Sequence, residues 1–101
     1  VNDAAKLGAL ARARREELGA SLRQTARAVG RSPAWLSRVE MGHDTPGEEA
    51  LERLALRLDA WDRLDEWYAL AGIVPRALRE EMFAHPERWS AVRAVLAGRR
   101  P

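Results

Sequence analysis

The chain contains no cysteine, which excludes disulfides, thiol chemistry and any cysteine-based zinc site. Its 101 residues include a single lysine (Lys6), a single phenylalanine (Phe83) and a single tyrosine (Tyr68). Its two histidines, His43 and His85, lie far apart, and neither has a partner at metal-ligand spacing. No apolar run approaches the roughly 20 residues that span a bilayer, and no signal-peptide pattern precedes the first helical stretch. Glycine-rich phosphate loops and serine-nucleophile motifs are both missing. The acidic run Asp59, Asp62, Asp65 and Glu66 has helical spacing and reads as a solvated face rather than as acid–base catalysts. These absences lead to the expectation of a soluble, cytoplasmic protein that is not an enzyme and holds no metal or cofactor.

Positive charge is carried by arginine, 16 residues against the one lysine. With abundant Ala, Leu and Gly, that bias fits a GC-rich bacterial genome. Net charge is only +2, but it is unevenly spread. Residues 1–43 hold eight basic against four acidic side chains, and residues 44–90 hold six against eleven. A basic segment followed by an acidic one suits a molecule with one face toward nucleic acid and another turned away.

The length predicts one small domain able to bury a modest core, and the pattern is helical throughout, with no period-two alternation. The most informative stretch is SLRQTARAVGRSPAWLSRVEMG at 21–42. Ser21 caps a helix in which Gln24 can complete a capping box, and Gly30 supplies a left-handed end. Ser32 caps a second helix with Pro33 in its first turn, Leu36 and Val39 face inward, and Gly42 stops it. Ala26 is small where the two helices must approach. Such a pair is what a helix-turn-helix DNA reader needs.

Around this pair, a first helix is expected from about Asp3 to Leu18, with Leu7, Leu10, Ala11 and Leu18 on one stripe. Thr45-Pro46-Gly47-Glu48 reads as a second capping box opening a fourth helix with Leu51, Leu54, Ala55 and Leu58 inward. Asp59 is expected to cap a fifth helix carrying Trp61, Leu64, Trp67, Tyr68 and Ala71, ended by Gly72. Pro75 opens a sixth helix to about Ala84, and Pro86 a seventh ending at Gly98.

From about residue 6 to 58 the chain resembles the DNA-binding domain of the Cro/C1-type, or Xre-type, regulators. The resemblance rests on Leu18-Gly19, Ala26, Gly30, SPAWLSRVEMG and TPGEEALERLALRL. More weakly, ALAGIVP at 69–75 and HPERW at 85–89 resemble C-terminal extensions of some members. The resemblance implies an all-α, five-helix lambda-repressor-like domain over 1–72, with a helical extension over 73–101. It also implies a double-stranded DNA-binding transcriptional regulator, a repressor, with helix 33–41 in the major groove. The alternative is an antitoxin-like or anti-repressor protein-interaction module built on the same fold.

Helical periodicity turns Ala34, Ser37 and Arg38 outward, and these are the candidate base contacts. A guanidinium can donate two bonds to guanine O6 and N7, and a small Ala can approach a thymine methyl. Arg23, Arg31, Ser32, Trp35 and His43 are candidate phosphate contacts, with Trp35 alternatively packing at the core boundary. Arg27 reads as a solubility residue. Arg15 and Glu40 match a family pair linking the first helix to the end of the third, and an inward carboxylate needs such a partner. Leu22 stands where the family often has a DNA-contacting Gln, Thr25 where an aliphatic residue is usual, and Ala20 where Leu is common. Trp61, Trp67, Tyr68, Phe83 and Trp89 are candidates for a homodimer interface, and a dimer implies a near-palindromic operator.

Overall fold

The Asp3 carboxylate accepts the Lys6 amide at 3.0 Å and so starts helix α1, Ala4–Glu17. In the computed structural model, which describes residues 3–98, α1 is followed by α2 (Leu22–Val29), α3 (Pro33–Glu40) and α4 (Glu48–Arg57). A short 3-10 turn, Trp61–Arg63, then leads into α5 (Leu64–Ala71), α6 (Arg76–Ala84) and α7 (Pro86–Ala97). Among the described residues there is no strand. Of the two expected segments, 1–72 and 73–101, residues 1–2 and 99–101 lie outside the described part.

Local chemistry accounts for most helix ends. Ser21 Oγ accepts the Gln24 amide at 3.0 Å, and Ser32 Oγ accepts the Trp35 amide at 3.1 Å. Each removes one of the orphan amides that every helix start exposes. Only this half of the Ser21 box forms. Gly30 takes φ 77° and hands the chain from α2 to α3 without the steric cost a Cβ would bring.

Three expectations are corrected. Thr45 does not cap α4: Gly47 occupies the cap position with no side-chain bond, because Pro46 is buried and holds Thr45 outside the helix. The Glu48 carboxylate instead accepts the Arg76 amide, 3.0 Å from each oxygen, and so caps α6, which has no cap of its own. Asp59 does not cap α5 but turns with φ 51° at the end of α4, a conformation short polar residues tolerate. Leu18 is exposed rather than part of the inward stripe, since it falls at the end of α1 beyond the packed turns.

The core is one cluster made by α1 to α5. Leu7 and Ala11 of α1 meet Ala26 and Val29 of α2, Leu36 of α3, Leu51, Leu54 and Leu58 of α4, and Trp67 of α5. Ala26, fully buried, allows the approach expected of it. Gly8 was not singled out by its sequence context, yet a Cβ there would lie 2.2 Å from the Val39 carbonyl oxygen and 2.7 Å from that of Glu40. Any side chain at position 8 would therefore push α3 off α1. Arg14 fastens the other side, donating from Nε to the Leu58 carbonyl at the end of α4 at 2.9 Å. A cation at that carbonyl end also complements the α4 dipole.

Helices α6 and α7 differ in kind. Neither contains a buried residue. They are joined by the Arg88–Glu81 ion pair, and Met82, Phe83, Pro86, Trp89 and Val92 line an apolar groove between them.

Candidate nucleic-acid interface

Helix α3 is held by its inner face, with Leu36 and Val39 buried, and this leaves Ala34 and Arg38 exposed and Ser37 half-buried on the outer face. Met41 lies beside Ser37, whose hydroxyl is 3.6 Å from its sulfur. The outer surface therefore offers a methyl, a hydroxyl, a thioether and a guanidinium within about two turns.

Arg38 is not free. The loop after α3 turns at Gly42, with φ 78°, and the His43 and Asp44 amides both point at the Arg38 carbonyl, at 2.9 and 3.4 Å. This brings Asp44 back beside the Arg38 side chain, where its carboxylate accepts Nε at 2.7 Å and Nη2 at 3.3 Å. The hydrogen bond and charge of Asp44 raise the pKa of Arg38, and Arg38 lowers that of Asp44 below the ordinary carboxylate value. Sequence reading missed Asp44 because a six-residue separation across a loop carries no periodic signal. A Cβ at Gly42 would sit 2.8 Å from the Cα of Ala5, so only glycine lets the loop pass this close to α1.

Beside the N-terminus of α3 lies a second basic feature. Arg23, Arg27 and Arg31 line one shallow depression with Gly30 and Pro33. All three arginines are exposed. The fold thus draws Arg27, set aside as a solubility residue, next to two candidate phosphate contacts. Ser32 is exposed beside them, its hydroxyl already used as the α3 cap. Trp35 is half-buried against the core and receives the Arg31 guanidinium over its ring, 5.4 Å from the centroid. That contact holds Arg31 by a cation–π attraction and leaves Trp35 a boundary residue. Leu22 packs partly against the core, which accounts for an apolar side chain at the start of α2. His43 is exposed in the α3–α4 loop.

The geometry of α3 rests on Arg15 and Glu40. Arg15 Nε and Nη2 donate to the two Glu40 oxygens at 2.7 and 2.9 Å, and Nη1 donates to the Ala20 carbonyl at 3.0 Å. Their side chains are 13% and 6% exposed, so the pair is largely withdrawn from water. The bond to Glu40 raises the pKa of Arg15 against the opposing effect of burial. One guanidinium thus ties α1, the loop before α2 and the end of α3 together.

The five candidate interface aromatics divide. Trp67 is fully buried and Tyr68 nearly so, both inside the domain core. They are corrected to core residues, because α5 turns both into the buried cluster it shares with α1 to α4. Trp61 and Phe83 are 52% and 78% exposed, and Trp89 is half-buried in the α6–α7 groove. Among the described residues, no group of three or more His, Cys, Asp or Glu side chains is placed to hold a metal ion. No described helix is long and apolar enough to cross a membrane.

Comparison with known proteins adds one match: the helix-turn-helix domain family fits the chain over residues 6–67. No curated protein and no solved structure matches it.

Proposed function

The chain belongs to the helix-turn-helix domain family, and from that premise we propose that it is a sequence-specific, double-stranded DNA-binding transcriptional regulator of the Cro/C1 type. It acts in the bacterial cytoplasm as a repressor and is not an enzyme. Helix α3 enters the major groove, where Ala34, Ser37 and Arg38 meet base edges, while Arg23, Arg27, Arg31 and His43 meet phosphates. The observation that carries this reading is the coincidence on α3: an outward face free of packing duties beside a cluster of three exposed arginines.

A homodimer completes the proposal, since two copies of α3 then read two half-sites about 10 base pairs, or a multiple, apart. The partner surface is the α6–α7 hairpin, with Phe83 at its most exposed point. The same hairpin also favours the second reading, a protein-interaction module that binds another protein through α6 and α7.

Equilibrium titration of duplex DNA at increasing salt separates the two. Each phosphate neutralised adds about −0.9 to the slope of log affinity against log salt. The DNA-binding reading expects a steep loss of affinity with salt. Binding that is absent at low salt rejects it and leaves the interaction module.

A further inference from the structure

We propose that Asp44 is a positioning residue for base recognition: it holds Arg38 by one edge and so presents the adjoining edge to guanine. The inference rests on the DNA-reading assignment above.

A guanidinium carries five N–H donors in a rigid plane. Asp44 takes the edge formed by Nε and Nη2, at 2.7 and 3.3 Å. That leaves the end formed by Nη1 and the second hydrogen of Nη2, two parallel donors matched to guanine O6 and N7. The carboxylate is itself held by the backbone, because the loop amides of His43 and Asp44 converge on the Arg38 carbonyl and Gly42 supplies the turn. Arg38 thus meets its base with its rotamer already chosen, although both side chains lie at the surface. An unheld arginine would instead lose its freedom on binding.

The negative charge of Asp44 has the opposite effect on general affinity, since it faces a polyanion. A positioning role therefore has a signature with two signs. Removing Asp44 raises or preserves binding to duplexes that lack the guanine Arg38 reads, while it lowers the preference for that guanine. Neither an energetically idle surface pair nor a merely structural one produces that combination.

The test uses the full chain and duplexes enriched from a random pool, with each base pair of a half-site then varied singly. Asp44→Ala is expected to cut discrimination at the one guanine position about tenfold, with other positions and the melting temperature unchanged. Asp44→Asn keeps one acceptor oxygen without the charge and is expected to fall between Asp44→Ala and the parent. Unaltered discrimination at a guanine that Arg38→Ala does abolish overturns the inference and leaves the DNA-reading assignment standing. So does a rise in discrimination in Asp44→Ala, which would make Asp44 a competitor for Arg38. A parent chain that enriches no sequence overturns both.

Discussion

Tyr68, the only tyrosine in the chain, donates its hydroxyl to Glu52 from a nearly buried position between α4 and α5. Burial first, and the Glu52 carboxylate second, raise its pKa above the ordinary phenol value of about 10. The folded form therefore retains a proton that the unfolded chain releases. This contribution to stability is intact below pH ~10 and is lost as the pH rises above it. An absorbance titration reads this residue alone: phenolate is expected only as the chain unfolds, and half-ionisation near pH 10 in the folded protein would contradict the assignment. Tyr68 is an interface candidate by sequence because aromatic side chains concentrate in interface cores. Its partner Glu52 lies on α4, 16 residues away, and leaves no local pattern. Thr25, also buried, has no hydrogen-bond partner for its hydroxyl, which costs stability relative to an apolar side chain of the same shape.

At the scale of elements, helix ends and inward faces were legible where their causes are local, as they are not at Thr45, Asp59 and Leu18. Ser21, Ser32, Gly30 and Gly72 act within a turn of their own positions, and Leu51, Leu54 and Leu58 follow the helical period. Contacts between elements were less legible. Glu48 looks like a local capping partner of Thr45 but caps α6 instead, 28 residues away. Gly8 carries no local signal, and its role shows only where α3 crosses α1. The Arg15–Glu40 link rests on the family resemblance, which pairs the two residues, and on an inward carboxylate that requires a cation. Glu40→Ala leaves Arg15 charged, poorly hydrated and unpaired, so it should cost about 3–5 kcal/mol. Denaturant unfolding measures this loss, and a midpoint equal to the parent's would show that the pair does not hold α3 in place. The same change should weaken DNA binding beyond its effect on the folded fraction, because α3 loses its fixed angle to α1.

The whole molecule is uneven. Helices α1 to α5 share one core, whereas α6 and α7 leave Leu78, Phe83, Val92, Val95 and Leu96 exposed. An exposed apolar hairpin of this kind suits a docking surface, and the homodimer proposed above would cover it with a second copy in the two-fold arrangement that paired half-sites require. Sedimentation at tens of micromolar is expected to show a dimer, and Phe83→Asp a monomer with unchanged helicity. A parent chain sedimenting as a monomer would remove the dimer from the account.

In the proposed function, the outer face of α3 reads DNA sequence, with Arg38 as its chief base contact. Selection of bound duplexes from a random pool, run in parallel with the parent and Arg38→Ala, tests it most directly. A near-palindromic consensus is expected for the parent, and loss of preference at one symmetric pair of positions in the variant, the rest of the consensus persisting. The same consensus from both proteins would contradict it.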